Sequence, residues 1–451
     1  MSFDDIIDRR GTHCSKWDKM EAIYGVPADT GIAMWVADMD FRPPQVVQDA
    51  LQAQIDHGVH GYFGDDSEYL AAIQWWMENR HGWKVDADAI FTNHGLVNGT
   101  AMCVDAFTQP GDGVVLFTPV YHAFARVIRA AGREVVECPL ALDHGRYVPD
   151  FDAWDALMTG RERMMILCSP QNPGGRVWGR AELEGWAAFA RRHDLVLVSD
   201  EIHCDLTMPG VTHRAMTRIE GVADRLVMLT ATTKTFNIAG AHIGNVIVSE
   251  PKLKARFASR MAALGLSPNS FGLAMATAAM SPEGVEWLEA LRGYLDGNRR
   301  LFEEGVAQIP GVRPMPLEST YLEWVDFSDT GMTREEVLRR IEALEPGLNA
   351  FSVTMADEAM AAATHRDAYG KRVIQHPLMR RQLMKLLILD SYRNPLMISF
   401  FLNFIGPLVA LVWNPVRKSI WGPTLVAAGI LVGGLINHIR WYVSAFSVND
   451  P

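Results

Sequence analysis

The chain has 451 residues, 49% of them apolar, and a formal net charge of -11. This length and composition allow a large hydrophobic core with a smaller second domain, and the acidic balance argues against nucleic acid as the main partner. The five cysteines form no CxxC pair and the histidines show no metal-binding spacing such as HExxH, which favours reduced thiols in the cytoplasm over disulfides or a metal site. Residues 1–20 are charged throughout and do not resemble a signal peptide.

Short apolar segments alternate with helix-length segments from about residue 45 to residue 310. The predicted strands are residues 89–93, 113–119, 133–140, 163–170, 194–201, 225–232 and 242–249. Strands that are apolar on both faces and separated by helices are typical of a mainly parallel sheet covered by helices. We therefore predict an open α/β domain with its ligand site at the carboxyl ends of the strands.

Two candidate ligand-binding positions follow the first two predicted strands. Gly95 precedes a predicted helix, where the amide groups of Gly95, Leu96 and Val97 can hold a phosphate at the helix N-terminus. Tyr121 follows the second strand, and its ring can stack on an aromatic ligand. Both positions also have ordinary explanations, because a glycine often precedes a helix and a tyrosine often packs in a core.

Polar residues also follow the fourth and fifth predicted strands. Asn172 lies in the Pro- and Gly-rich turn 169–175 and can donate to a phenolate oxygen, although it equally fits an ordinary turn. Asp200 ends a buried strand, where a carboxylate is unfavourable unless it meets a cation. A protonated pyridine nitrogen is such a cation; the alternative role for Asp200 is a helix N-cap.

Lys234 follows the sixth predicted strand, among hydroxyl side chains and without a nearby carboxylate in sequence. An amine in a dry pocket has a lowered pKa and can attack an aldehyde, so Lys234 is a candidate Schiff-base lysine. The neighbouring Thr233 can donate its hydroxyl to a phosphate. A lone lysine after a strand is usually structural, and it is the combination with the other strand ends that favours the Schiff-base role.

Six segments carry a family resemblance: DRRGTHCSKWDKM (8–20), MWVADMDFRPP (34–44), GYFG (61–64), SPQNPGGRVW (169–178), VSDEIHCDL (198–206) and TKTFNIAG (233–240). The last three, in their order and spacing, resemble the fold-type I, pyridoxal-phosphate-dependent enzymes of aminotransferase class I/II. The first three are similar, more narrowly, to the cystathionine β-lyases of the MalY/PatB type. The resemblance covers about residues 3–340.

The resemblance implies a role for each candidate residue around the cofactor. Lys234 would bind pyridoxal phosphate covalently and act on the substrate Cα, and Asp200 would pair with the pyridine nitrogen. Asn172 and His203 would lie near the phenolate oxygen, and Tyr121 would stack on the ring.

The resemblance also implies partners and an activity. Tyr62 would reach the phosphate in the neighbouring subunit, so a homodimer formed through the large domain is expected. The implied reaction is β-cleavage of cystathionine or another cysteine S-conjugate, an amino-acid thioether, to a thiol, pyruvate and ammonia. An aminotransferase using the same cofactor is the alternative enzyme.

The C-terminal part departs from the family. The family has an arginine for the substrate carboxylate in a stretch similar to FxRLN, and no such stretch follows residue 340. Residues 365–384 resemble a helix of the acyl-CoA dehydrogenases. Residues 394–413 and 420–439 lack Lys, Arg, Asp and Glu, so they predict either a membrane hairpin, loosely similar to an integral subunit of the NrfD type, or two buried helices.

These patterns divide the chain into five predicted regions. The regions are an N-terminal arm with part of the small domain (1–45), a cofactor-binding large domain (46–290), a partial small domain (291–345), a basic helical segment (346–393) and a two-helix hairpin (394–446). The catalytic portion is expected in the cytoplasm, with the hairpin as a membrane anchor. The alternative to an active enzyme is a catalytically impaired, membrane-tethered fusion, natural or misassembled, that only binds cofactor or a regulatory partner.

Overall fold

A computed structural model describes residues 2–29 and 31–333. The strands in these residues are β1 (Ile90–Asn93), β2 (Gly113–Thr118), β3 (Glu134–Pro139), β4 (Ala141–Asp143), β5 (Arg146–Val148), β6 (Glu162–Cys168), β7 (Val196–Asp200), β8 (Leu226–Thr230), β9 (Gly244–Ile247), β10 (Arg313–Pro314) and β11 (Val325–Asp326). The α-helices are α1 (Ser15–Asp18), α2 (Met20–Tyr24), α3 (Gln45–His57), α4 (Ser67–His81), α5 (Leu96–Phe107), α6 (His122–Ala130), α7 (Phe151–Asp155), α8 (Arg180–Arg192), α9 (Pro251–Leu264), α10 (Ser270–Ala279) and α11 (Pro282–Val306).

The main sheet of the described residues has seven strands in the order β1-β9-β8-β7-β6-β2-β3. Neighbouring strands from β8 to β3 are parallel, whereas β9 is antiparallel to both β8 and β1. All strands of this sheet except β9 therefore point the same way, and their carboxyl ends lie along one edge. The predicted mainly parallel sheet and its seven strands are confirmed.

Hydrophobic side chains pack on both faces of this sheet. Along β7 and β8, Val198 and Val227 join one core cluster, which also contains side chains of α5, α6 and α9. Leu197 and Met228, one residue away in each strand, join the other cluster with side chains of α4, α8, α10 and α11. Alternate residues of a strand point to opposite faces, so strands that are apolar at every position require helices on both sides.

The N-terminal arm is tied to the loop that follows β8. Arg9 forms salt bridges with Asp38 (2.9 Å) and Asp40 (2.7 Å), which brings the first two family-like segments together. The side-chain carbonyl of Asn237 accepts from the backbone N–H of Met39 at 2.8 Å, and its amide donates to the Met39 carbonyl at 2.8 Å. These bonds hold the segment around Asp38 against the loop that contains the candidate lysine.

Within residues 2–29 and 31–333, no helix is both long enough and apolar enough to cross a bilayer. The predicted hairpin at 394–413 and 420–439 lies outside the described residues. The same holds for the acyl-CoA-dehydrogenase-like stretch 365–384 and for the region after residue 340, which has no stretch similar to FxRLN.

Candidate active site

Five of the predicted site residues lie at the carboxyl edge of the sheet. Gly95 follows β1, Tyr121 follows β2, Asn172 follows β6, Asp200 ends β7 and Lys234 follows β8. Strands β2, β6, β7 and β8 are consecutive neighbours in the sheet, so their ends lie side by side. In a parallel sheet this edge is where ligands bind, and these positions follow strands that end along it.

The side chain of Lys234 is partly buried, and its amine is turned toward the N-terminal arm. Its Nζ donates a hydrogen bond to the backbone carbonyl of Ala37. Burial lowers the pKa of Lys234, against the opposing charges of Asp38 and Asp200. The amine therefore does not extend to the surface, and a larger fraction of it is neutral and nucleophilic than in a solvated lysine.

Asp200 is a buried carboxyl group with few hydrogen-bond donors. Among the described residues its hydrogen-bond donor is the backbone N–H of Ile202, at 3.1 Å. Burial raises the pKa of Asp200 to about 7, and the charge of Glu201 adds to this, whereas the Ile202 N–H and the charge of Lys234 act in the opposite direction. A bound cation with an N–H donor would supply the stabilisation that this carboxylate lacks, as a protonated pyridine nitrogen does.

His203 and Asn172 are buried near these groups. Burial lowers the pKa of His203 to about 3, and the charge of Lys234 contributes, so the imidazole is neutral at physiological pH. Its Nδ1 has no hydrogen-bond partner among the described residues. Asn172 is also buried, with its backbone N–H directed to the thiol of Cys168. An oxygen atom on a bound ring would provide the imidazole with the missing partner.

Tyr121 immediately precedes α6, and its ring packs edge-on against Phe124 with 5.5 Å between the ring centres. Burial raises the pKa of the Tyr121 hydroxyl, and the charge of Asp200 raises it further. The hydroxyl is therefore close enough to Asp200 to be affected by its charge. This proximity agrees with a ring that borders the same pocket, although Tyr121 also has the core contacts of the ordinary alternative.

Gly95 precedes α5 with φ +89° and ψ 162°, a backbone conformation that essentially only glycine adopts. A Cβ atom at this position would meet no other described atom within 4 Å, so the space in front of the helix is open. The first N–H groups of α5, which include those of Leu96 and Val97, have no intrahelical acceptor. The helix start can therefore bind an anion, with Thr233 buried beside Lys234 on the adjacent part of the edge.

Tyr62 is not part of this group in a single chain. Its side chain is fully exposed, in a loop before α4 where Val59 and Phe63 are also exposed. A position of Tyr62 in the site of a neighbouring subunit therefore remains a prediction.

A buried network supports the lysine loop from the side of the core. Asp205 accepts hydrogen bonds from His81 (2.9 Å), Arg80 (3.3 Å) and the Thr235 hydroxyl (3.1 Å). Burial alone would raise the pKa of Asp205, but the hydrogen bond and charge of His81, with the charge of Arg80, lower it to about 2. Because Thr235 follows Lys234 directly, this ionised carboxylate fixes the backbone next to the candidate lysine.

Two site residues were missed by the sequence reasoning, namely Ala37 and Tyr321. The Tyr321 hydroxyl donates to the Ala37 carbonyl at 2.9 Å, and the same carbonyl accepts from Lys234. These contacts join residues that are 284 and 197 positions apart in the chain. In the sequence, Ala37 lies within the family-like segment 34–44. That resemblance does not indicate that its backbone carbonyl accepts from Lys234.

The parallel sheet with its single antiparallel strand and two helical layers has the fold-type I architecture of pyridoxal-phosphate-dependent enzymes. The chain belongs to the family aminotransferase class I and II, which it matches over residues 33–367.

Relatives and solved structures are similar over most of their own lengths. The chain is 37% identical to cystathionine β-lyase PatB of Bacillus subtilis over 356 residues, which cover 77% of this chain and 91% of PatB. It is 30% identical to protein MalY of Escherichia coli, with 76% of this chain and 90% of MalY covered. Cystalysin from Treponema denticola, whose crystal structure contains pyridoxal 5'-phosphate, has a TM-score of 0.71 and 34% identity, covering 75% of this chain and 87% of cystalysin.

Proposed function

We propose that the protein is a pyridoxal-phosphate-dependent carbon–sulfur β-lyase that cleaves cystathionine or another cysteine S-conjugate. The observation that carries the proposal is the amine of Lys234, which is turned inward to the backbone carbonyl of Ala37 in a chain that is 37% identical to a cystathionine β-lyase. The net reaction with cystathionine consumes water and yields homocysteine, pyruvate and ammonia. The cleaved bond is the one between Cβ and sulfur.

The residues described above fit the cofactor, and we assign them as its binding residues. Lys234 would hold it covalently, Asp200 would accept from the pyridine nitrogen, and His203 with Asn172 would face the ring oxygen. The phosphate would be bound by the residues at the start of α5, Gly95, Leu96 and Val97, and by Thr233. Tyr121 would stack on the ring. The bound cofactor supplies an electron sink for the electron pair left at Cα.

Lys234 would also be the acid–base group of the reaction. The free amine of Lys234 would remove the Cα proton of the substrate, for which its position at the carboxyl edge of the sheet is suited. Burial assists this step because it lowers the pKa of the amine and so increases the neutral fraction that can accept a proton. Asp200 assists it by keeping the pyridine nitrogen protonated.

A homodimer formed through the large domain (46–290) is part of the proposal. Tyr62, exposed in one chain together with the nearby apolar side chains of Ile55, Val59 and Phe63, would then reach the phosphate bound by the other chain. Exposed apolar side chains grouped in this way are typical of protein–protein contact surfaces.

Product analysis with purified full-length protein, pyridoxal 5'-phosphate and L-cystathionine tests the proposed reaction. A lyase releases pyruvate and a free thiol in equal amounts without any added keto acid. Transfer of the amino group to an added keto acid, without thiol release, would instead support the aminotransferase alternative. Visible absorbance of the lysine-bound cofactor with neither product would support the catalytically impaired fusion.

Replacing Gly95 with alanine is expected to weaken cofactor binding. Alanine at this φ and ψ is strained by about 1–3 kcal/mol, so the loop relaxes and moves the first N–H groups of α5 away from the phosphate. The dissociation constant for pyridoxal 5'-phosphate, measured by its absorbance change, should rise about tenfold or more. Gly132→Ala is the matched control, because Gly132 also has a positive φ and open space but lies at a surface turn. An equal rise in both variants would contradict a phosphate role for Gly95.

A further inference from the structure

The segment of residues 318–322 connects two of the loops that carry site residues. The backbone N–H of Ser319 donates to the carbonyl of Gly175 at 2.9 Å, in the turn that contains Asn172. The Ser319 hydroxyl donates to the carbonyl of His203 at 3.1 Å. One serine thus links the Asn172 turn to the His203 loop.

The next residue in the segment has a strained backbone. Thr320 has φ +76°, which is unusual for a β-branched residue, and it is fully buried. Its N–H donates to the carbonyl of Leu206 at 3.0 Å, and its hydroxyl accepts from the N–H of Leu322 at 3.0 Å. Such strain persists only where the surrounding contacts hold it, and it occurs preferentially at functional sites.

This conformation directs the following side chain, that of Tyr321, into the candidate site. Its hydroxyl donates to the Ala37 carbonyl at 2.9 Å, and its ring lies edge-on to that of His203 with 6.3 Å between ring centres. The same Ala37 carbonyl accepts from the amine of Lys234. Two donors, one of them the candidate catalytic lysine, therefore share one backbone acceptor that belongs to the N-terminal arm.

We propose that Tyr321 is a positioning residue for Lys234. Its hydroxyl holds the Ala37 carbonyl in place as the acceptor for the lysine amine, so that the freed amine stays directed at the substrate Cα. The proposal rests on the proposed function, because it requires Lys234 to be the reacting amine. The charged groups that face this amine, Asp38 and Asp200, attract it without a fixed direction, whereas a carbonyl held by a hydrogen bond defines one direction.

The chemistry of the tyrosine fits this role better than a packing role. A phenylalanine would fill the same space, so the buried hydroxyl is needed only for its hydrogen bond. Burial and the charge of Asp38 raise the pKa of Tyr321 well above its ordinary value, so the hydroxyl stays protonated and remains a donor. A neutral donor can hold the Ala37 carbonyl at any pH at which the enzyme works.

Tyr321→Phe in the holoenzyme, with Tyr69→Phe as the matched control, tests the proposal. Tyr69 is a buried tyrosine whose hydroxyl also donates at 2.9 Å, but to the side chain of Asn245 and not to the carbonyl that Lys234 uses. Tyr321→Phe is expected to lower kcat about tenfold, as for one buried hydrogen bond, with KM for L-cystathionine changed less than twofold. The pH midpoint of the absorbance of the lysine-bound cofactor should fall by about 0.5 to 1, because a mobile carbonyl stabilises the charged lysine nitrogen less. Tyr69→Phe should change neither quantity.

Several outcomes would overturn the proposal. An unchanged midpoint with unchanged kcat would make Tyr321 a packing residue, and a rise in KM at constant midpoint would make it a substrate-binding residue. A rise of the midpoint would mean that Tyr321 competes with Lys234 for the carbonyl. Wild-type protein that shows no absorbance of lysine-bound cofactor would overturn the proposed function itself, which separates the two failures.

A second variant covers the case in which Tyr321→Phe does not fold. Thr320→Gly keeps the tyrosine hydroxyl but removes the strained side chain and frees the backbone. It should move kcat and the midpoint in the same direction as Tyr321→Phe, by a smaller amount. Wild-type values for both quantities in this variant would contradict the inference.

Discussion

Lys234→Ala is expected to remove the visible absorbance of the lysine-bound cofactor and to lower kcat/KM for cystathionine at least about a thousandfold. The variant loses both the amine that bonds to the aldehyde and the base that takes the Cα proton, and a positioned base alone contributes on the order of a hundredfold to ten thousandfold. The measurements are an absorbance spectrum of the purified protein with excess pyridoxal 5'-phosphate and the rate of pyruvate release.

Lys254→Ala is the matched control for this experiment. Lys254 lies on α9, partly exposed, in a salt bridge with Asp88 at 2.6 Å, and a surface pair of this kind contributes little. This variant should keep the spectrum and rate of the wild type. Residual pyruvate release by Lys234→Ala close to the wild-type rate would show that another group is the base and that the central assignment is wrong.

The strand ends could be predicted from the sequence because each is defined locally. A strand that is apolar at every position must lie inside the sheet, and the first polar residue after it must lie at the sheet edge. Asp200 and Lys234 are of this kind, since each comes at or shortly after the end of such a strand, β7 and β8 respectively. The resemblance to the family then indicated the ligand, which composition and spacing alone had left open.

The contacts around Ala37 and Tyr321 could not be predicted in the same way. Ala37 acts through its backbone carbonyl, which every residue has, so its side chain carries no signal. Tyr321 follows a buried threonine whose φ is set by contacts with the Leu206 and Gly175 regions, far away in the chain. The N-terminal arm also contacts the lysine loop through the side chain of Asn237, whose partners lie 198 and 196 residues away.

Asp200→Asn is expected to lower kcat about a hundredfold to a thousandfold, the effect of removing one fixed electrostatic partner of the reacting system. Asparagine cannot keep the pyridine nitrogen protonated, so the electron pair left at Cα is stabilised less. Pyridoxal 5'-phosphate should still bind, because Lys234 and the phosphate site are unchanged. A kcat close to that of the wild type, with cofactor bound, would show that Asp200 does not pair with the ring nitrogen.

The same substitution should stabilise the protein without cofactor, and the sign follows from the raised pKa. An unfolded aspartate has a pKa near about 3.9, whereas burial raises the pKa of Asp200 in the folded state to about 7. The folded state therefore binds the proton more tightly, and the contribution of Asp200 to the free energy of unfolding falls as the pH rises between these two values. Asp200→Asn removes this loss. The free energy of unfolding of the variant should therefore exceed that of the wild type by almost nothing at pH 4 and by about a few kcal/mol at pH 8.

Asp205→Asn gives the opposite expectation, because the pKa of that equally buried carboxyl is lowered to about 2 by His81 and Arg80. Its loss removes the buried carboxylate that accepts from Arg80, His81 and the Thr235 hydroxyl, so the variant should be less stable than the wild type at pH 7. Denaturant unfolding of the cofactor-free proteins across this pH range measures both differences. Added pyridoxal 5'-phosphate should reduce the advantage of Asp200→Asn, since a protonated ring nitrogen stabilises the wild-type carboxylate. If the difference in free energy of unfolding between Asp200→Asn and the wild type depends neither on pH nor on cofactor, the ionised Asp200 carboxylate is already stabilised within the chain. That result would contradict the view that Asp200 needs the cofactor as its partner.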